Sequence, residues 1–380
     1  MRVLLNGLSV VFPISGVGLY TLRLGKALGT LLGSGKIFWF GKSVPDCTHG
    51  FCDNKGPVSI NHVGQNLKKD LRKIPGLKTL IHTWRNNQFR SYSRRVKPSL
   101  YHETNYAPFN FEYGPTVVTV CDLSFIRHPE WHPIDRVKYF ENHCVKQISQ
   151  VEAIITISEF SKGEILTLLN VDPAKISVTP LGVDRNFRPG KKRMQGVPDK
   201  YILYLGNLEP RKNLPALLTA YRCLPKKIRN IYPLVVSGAR GWNTKKFDRT
   251  LRLFQKGEKL ILTGYVPQGQ LPELYRGASL FVYPSLYEGF GLPVLEAMAC
   301  GVPVVASNRT SIPEVVGDAG VLIDPHDTSE LRDAMLQLLD DEKLRGEMSE
   351  KGLERAKLFS WDKCAQETLA IYEKVLGERG

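Results

Sequence analysis

The stretch Leu280–Ser307, LFVYPSLYEGFGLPVLEAMACGVPVVAS, decides the fold. It opens on a short apolar run, LFVYPS, that reads as a buried strand. A glycine-bearing turn follows, and Pro293 suits the first turn of a helix. A second apolar run, PVVAS, closes the unit. The same alternation fills nearly the whole chain. RVLLNG, KIFWFG, SLYHE, TVVTVC and AIITIS read as strands in the first half, and YILYLG, PLVVSG, KLILTG and GVLID join the two runs above in the second. Near-continuous apolar strands separated by helical stretches indicate parallel sheets covered on both faces. Two such series in 380 residues predict an α/β protein of two doubly wound, Rossmann-like domains facing across a cleft. Residues 1–185 make the first domain and 200–360 the second, joined by the polar, Gly- and Pro-bearing segment RNFRPGKKRMQGVPDK, Arg185–Lys200. After GVLIDPHD the pattern is helical only, and the terminal helix, residues 361–380, is expected to pack back on the first domain.

Composition narrows the function classes. Hydrophobic content of 42% and charged content of 23% are ordinary for a globular protein. No apolar run reaches about 18 residues, so no membrane-spanning helix is expected. The start, MRVLLNGLSVVFPISG, loosely resembles a signal peptide, but RVLLNGL reads as a first strand and no small-residue cleavage site follows. Seven cysteines without a C-x-x-C pair suit a reducing cytoplasm and argue against a zinc site.

The net charge of +15 is uneven. Residues 1–193 hold 27 Lys and Arg against 14 Asp and Glu, whereas the remainder holds 25 against 23. Lys68–Lys97 alone carries ten basic residues and one acid, interleaved with Leu71, Ile74, Leu77, Leu80, Ile81 and Trp84 at roughly helical spacing. A nucleic-acid surface, an anionic membrane surface and a solvated basic face all fit that pattern. No helix-turn-helix, zinc-finger or aromatic–basic RNA signature accompanies it, which argues against nucleic acid.

Chemistry is expected where strands end. In YLGNLEPRKN, Tyr204–Asn213, Arg211 and Lys212 stand after a strand and where a helix would begin. A fork-shaped guanidinium and a compact ammonium beside a helix N-terminus make an anion pocket. In SLYEGFGLPVLEA, Glu288 lies in the loop at a strand's carboxyl end. Gly289 and Gly291 let backbone approach a ligand, and the amides from Phe290 through Leu292 to Val294 can point at an anion. Glu296 falls inside the helix, about one turn on. It is placed to accept hydrogen bonds from two ribose hydroxyls, like the acid of dinucleotide-binding folds. A glutamate pair at the same interval, Glu342 and Glu350, lacks the strand and the glycines and reads as a solvated helix. In the first domain, Gly16 and Gly18 of SGVGLY fall between a strand and a helix, short of a full dinucleotide fingerprint. Asp122 of CDLSF ends another strand, where it can contact a sugar hydroxyl or cap a turn. His128 and His132 are flanked by prolines and have no carboxylate-rich partner cluster, so no metal site is expected.

Together these segments resemble the retaining family-four glycosyltransferases of the GT-B fold. The resemblance rests on GNLEPRKN, YPSLYEGFGLPVLEAMACGVPVVAS and IPEVVGDAGVLIDPHD, and extends to SGVGLYT, SEFSKGEI, PLGVD and FSWDK. The opening and DLSFIRHPEW look most like bacterial mannosyltransferases that build O-antigen from GDP-mannose. What the resemblance implies is a first domain that binds the acceptor and a second that binds the nucleotide sugar. Arg211 and Lys212 would grip the donor diphosphate, Glu296 the ribose, and Glu288 would lie against the transferred sugar. Gly289, Phe290, Gly291 and Leu292 would hold phosphate and sugar hydroxyls, and Gly16 and Gly18 would line the cleft. Asp122 would face the reacting centre. Relatives commonly read His-Asp where this chain has Cys121-Asp122, so no imidazole is available there. Such enzymes need neither metal nor other cofactor. The donor would be GDP-mannose, with GDP-D-rhamnose or a UDP-sugar as alternatives. The acceptor would be a lipid-linked saccharide, and Lys68–Lys97 would hold the enzyme at the inner face of the cytoplasmic membrane. A nucleotide-sugar epimerase, a phosphorylase or a nucleic-acid-binding protein are the competing classes.

Overall fold

The structure, a computed structural model, describes residues 1–11, 14–41, 77–239, 251, 254 and 258–377. Two six-stranded sheets organise the chain. The first contains β1 (Val3–Asn6), β2 (Ile37–Phe40), β3 (Leu100–Glu103), β4 (Thr116–Thr119), β5 (Ala153–Thr156) and β6 (Ile176–Val178), in the order β2-β1-β3-β4-β5-β6. The second contains β7 (Tyr201–Leu205), β8 (Leu234–Ser237), β9 (Leu260–Gly264), β10 (Ala278–Tyr283), β11 (Val304–Ser307) and β12 (Val321–Ile323), in the order β12-β11-β10-β7-β8-β9. Every pairing is parallel. The interior strands β1, β3, β4, β5, β8 and β11 are buried along their whole length, as sheets covered on both faces require. Edge strand β9 is buried only at Leu260 and partly or fully exposed beyond it, as an edge allows. Strand β6, three residues long, is absent from the expected set; ISV is too short to stand out from its surroundings.

Each sheet reverses direction once, between β1 and β3 in the first and between β7 and β10 in the second. Doubly wound sheets open a crevice at such a point, at the carboxyl ends of the strands. Numbering only helices of eight residues or more, α1 (Gly16–Leu32) follows β1, α2 (Leu77–Val96) precedes β3, and α3 (Glu159–Leu168) follows β5. In the second half α4 (Leu214–Arg222) follows β7 and α5 (Leu292–Ala299) follows β10. Then come α6 (Thr328–Asp340), α7 (Glu342–Ala356) and α8 (Trp361–Gly377).

The last helix belongs spatially to the first sheet. It packs along α1, and the Tyr372 hydroxyl lies 2.5 Å from His102 Nδ1, whose Nε2 lies 2.7 Å from Thr119 Oγ1. Burial holds the His102 ring neutral, down at about 3, so this polar link under the helix carries no charge. The chain crosses back at a narrow place: a side chain on Gly182 would sit 2.0 Å from the Trp361 nitrogen, and Val183 bridges Ser360.

Of the basic stretch, Lys68–Gly76 lies outside the described residues. Helix α2 buries Phe89 among Phe40, Tyr101 and Phe109 and leaves Arg85, Arg90, Arg94 and Arg95 exposed. Arg90 pairs with Glu112, and Arg94 donates to the Tyr113 hydroxyl at 3.3 Å. Among the described residues no helix is long and apolar enough to cross a membrane.

Candidate active site

The loops after β7 and β10 meet at the second sheet's reversal, facing those after β1, β3 and β4 of the first. They enclose a cavity of about 500 Å³ lined from both halves of the chain. Arg211 and Lys212 sit on a single 3-10 turn, Pro210–Lys212, one residue before α4 rather than on its first turn. Asn213 takes a left-handed conformation, φ +52°, and separates turn from helix, its side chain tied to the Pro325 carbonyl at 2.7 Å.

The expected anion pocket contains its own counter-charge. Lys212 Nζ donates to Glu288 Oε1 at 2.5 Å and to the Tyr283 hydroxyl at 2.6 Å. Arg211 Nη1 donates to Glu288 Oε2 at 3.0 Å, and its Nε to Glu209 at 3.1 Å. Ser285 and Tyr283 complete the shell of Glu288 Oε1, at 2.6 and 2.9 Å. Burial pushes the Glu288 carboxyl up, but Lys212 and Arg211, with hydrogen bonds from Lys212 and Ser285, hold it down at about 2. Glu288 is therefore a permanent carboxylate and no proton donor. The Lys212 ammonium is pushed down by burial and by Arg211, against the pull of Glu288. Such a cluster can exchange contacts with an entering anion without exposing an unpaired charge.

The helix after β10 begins one residue beyond Gly291, whose φ of +110° is a left-handed conformation that glycine adopts at little cost. Phe290, Gly291, Leu292 and Pro293 line the cavity, so the amino end of α5 faces it. Glu296, on the same helix, is 4% exposed and also lines the cavity. It accepts from the Tyr275 hydroxyl at 3.0 Å and from Gln268 Nε2 at 3.1 Å. Burial pushes its carboxyl up to about 7 against those two bonds.

That shift has a consequence for stability. An acid whose folded pKa lies above its unfolded value binds its proton more tightly when folded, so it removes stability as pH rises between 4.5 and about 7. Glu296→Gln is expected to melt above the parent by a few degrees more at pH 8 than at pH 5. Glu103, pushed up to about 7 by burial, titrates in both proteins and cancels in the difference. Thermal melts at the two pH values check this; an equal gap at both would place the Glu296 carboxyl in its ordinary range.

Asp122 lines the cavity from the first half of the chain and also serves as a local cap. Its Oδ1 accepts from the Ser124 amide at 3.0 Å and the Ser124 hydroxyl at 2.7 Å. Cys121 turns its side chain into the core, where burial pushes the thiol up, and presents its carbonyl to the other domain. Gly16 lines the cavity with open space above its Cα. Gly18 serves the fold instead: a side chain there would meet the Ser9 carbonyl at 2.5 Å. His128 and His132 do not converge on a common point; one stacks on Trp131 at 3.8 Å and the other lies against Phe125 at 4.5 Å.

Gly289 has a use the spacing did not disclose. A side chain on it would lie 2.2 Å from the Cys121 carbonyl oxygen and 3.1 Å from Asp122 Cβ. The missing Cβ thus lets the two domains touch, backbone to backbone, beside Glu288.

Comparison with known proteins agrees with this architecture. Residues 190–355 match the model of the glycosyl transferases group 1. Over 98% of its length, and the whole of that relative, the chain is 37% identical to the O-antigen chain mannosyltransferase B of Escherichia coli. The chain belongs to the group 1 glycosyltransferases. It is also 34% identical to the serotype-specific mannosyltransferase WbdA of Escherichia coli, over 62% of this chain and 30% of that longer protein. Sucrose-phosphate synthase from Thermosynechococcus elongatus superposes over the full length of both chains, with a TM-score of 0.73 at 19% identity. Anabaena HepE in complex with UDP covers 98% of this glycosyltransferase, with a TM-score of 0.71 at 18% identity. At those identities the likeness shows the fold, and the fold is GT-B.

Sequence reasoning missed the residues that join the halves of this glycosyltransferase. Tyr287 and Glu164 meet across the interface at 2.9 Å, and Ser158 Oγ donates to the Gly289 carbonyl at 2.8 Å. Glu314 accepts from the Glu159 and Phe160 amides at 2.8 and 2.7 Å, so a carboxylate of the second domain caps α3 of the first. Partners 123 to 155 positions apart leave no local signal.

Proposed function

We propose that this glycosyltransferase moves an α-mannosyl unit from GDP-mannose to a saccharide hydroxyl, with retention of configuration and without a metal ion. The observation that carries the reading is the buried Lys212–Glu288–Arg211 cluster beside the amino end of α5, with Glu296 on the same helix. Mannose is supported by the names of the Escherichia coli relatives. GDP-D-rhamnose or a UDP-sugar is the alternative donor; the UDP in HepE belongs to that enzyme.

In this reading the donor's diphosphate lies against Arg211, Lys212 and the Gly291 and Leu292 amides, and the ribose hydroxyls donate to Glu296. As the bond from the sugar's anomeric carbon to the diphosphate oxygen breaks, negative charge grows where those cations and amides stand. They therefore stabilise the transition state more than the bound donor. The acceptor oxygen attacks the same face, and its proton passes to the departing phosphate oxygen. Glu288 holds sugar hydroxyls. A carboxylate held near 2 by two cations is a poor nucleophile, which favours direct same-face attack over a covalent sugar on Glu288.

A direct test incubates the protein with GDP-mannose and an α-mannoside acceptor in the presence of a chelator. The expected product is an α-linked mannoside with release of GDP. A β-linked product, or release that stops on chelation, would overturn retention or metal independence respectively.

The acceptor in this proposal is lipid-linked, and Lys68–Lys97 holds the enzyme to an anionic membrane surface at the inner face of the cytoplasmic membrane. Binding is then expected to anionic vesicles at low salt, weakening as salt rises. Equal binding to neutral vesicles would contradict it.

A further inference from the structure

Tyr287 is held at both ends. Its carbonyl accepts from Arg211 Nη1 at 3.1 Å, inside the candidate donor site. Its hydroxyl reaches the other domain, donating to Glu164 Oε2 at 2.9 Å and accepting from the Leu123 amide at 3.3 Å. The ring meets His128 and Phe160 edge to face, with centroids 5.7 and 5.6 Å away, and the residue is 2% exposed. Its chain neighbour is Glu288, and the neighbour of the amide it receives is Asp122. Glu164 is itself buried and fixed by Arg127 at 2.5 Å. One residue, through its carbonyl at one end and its hydroxyl at the other, thus spans from the cation that faces the donor to the turn that carries the acid of the opposite wall. A ring alone would fill the space; the hydroxyl, satisfied by two polar partners, sets the register of the two loops.

We propose that Tyr287 is a positioning residue, tying the Glu288 loop, which its carbonyl joins to Arg211, to the Asp122–Ser124 turn so that occupation of the donor site orders the loop on the other wall. The inference rests on the transfer reading above and adds to it. Neither Tyr287 nor Glu164 touches the reacting atoms. They act by fixing the distance between groups that do, and errors of about 1 Å in such distances cost about a hundredfold in rate.

Tyr287→Phe keeps the ring and removes the hydroxyl. The expected result is a kcat lower by about ten- to a hundredfold, with the Kd for GDP within about threefold of the parent, less than 0.7 kcal/mol. Glu164→Gln keeps an oxygen for the hydroxyl and is expected to retain most of the rate, whereas Glu164→Ala is not. Hydrogen exchange supplies a readout independent of turnover. Amides of Leu123–Arg127 and Glu159–Lys162 are expected to exchange faster in Tyr287→Phe even without ligand. In the parent GDP slows them, and in the variant it does not. Wild-type kcat and wild-type exchange in Tyr287→Phe would overturn the proposal. So would a joint loss of GDP affinity and turnover with unchanged exchange, which would make Tyr287 part of the donor site alone. A parent that transfers no sugar, while the exchange difference persists, would fail the transfer reading and leave the tie standing.

Discussion

Lys212→Ala is expected to lower the transfer rate by about a hundredfold or more, the cost of one preorganised contact to developing charge, about 3 kcal/mol. From sequence alone the variant is expected to fold normally. The burial of Lys212 adds a cost in stability. Lys212 is 8% exposed and donates to Glu288 at 2.5 Å, so its loss strips a buried carboxylate of one of two cations. Removing one partner of a buried pair costs about 3–5 kcal/mol. Arg211, Tyr283 and Ser285 remain to hold Glu288, which limits the damage. The variant is therefore compared with the parent well below its own melting temperature, with circular dichroism to show that it is folded. Single-turnover rates at saturating donor isolate the chemical step. A folded Lys212→Ala with undiminished turnover removes this residue from the mechanism.

Gly289→Ala carries the second large effect. The new methyl would need space where the Cys121 carbonyl lies 2.2 Å away, and neither backbone is the flexible end of a side chain. The domains must part locally by about 1 Å, which for aligned reacting groups costs about a hundredfold in turnover. Gly163→Ala is the control, since a side chain there meets nothing within 4 Å. On helix α3 it is expected to stabilise by about 1 kcal/mol and leave turnover unchanged. Steady-state kinetics on the two alanine variants make the comparison. Full activity in Gly289→Ala would mean that this contact is not part of the working state.

How much of this was legible beforehand follows from the range of each interaction. Strand and helix order shows in apolar runs of four to six residues, so two parallel sheets and a crevice at the strands' carboxyl ends can be read from pattern, whereas β6 and the strand order that places the two reversals cannot. The pair Glu288 and Glu296 was legible because strand, glycines and Pro293 fix where each carboxylate falls within one short unit, and both line the cavity. Arg211 and Lys212 were legible as cations at a strand's end, but not as partners of Glu288, which lies 76 or 77 positions later. Gly289 illustrates the limit best. Its spacing suggested approach to a ligand; it lines the cavity, and it also admits a carbonyl of the other domain, which spacing does not show. Tyr287, Glu164 and Glu314 gave no sign at all, because a tyrosine or a glutamate at a loop or helix end has many local uses.

In the proposed reaction the cavity binds a guanosine diphosphate sugar through Glu296 and the Arg211–Lys212 pair. Calorimetric titration of GDP, UDP and ADP into the purified protein, first with a chelator and then with Mg²⁺, tests it most directly. GDP is expected to bind selectively without metal, and Glu296→Ala to abolish the binding heat while leaving the fold intact. Selective binding of UDP or ADP would keep the transferase and discard the guanosine donor. Binding of none of the three, or GDP binding undiminished in Glu296→Ala, would show that this cavity is not a guanosine diphosphate site built on Glu296.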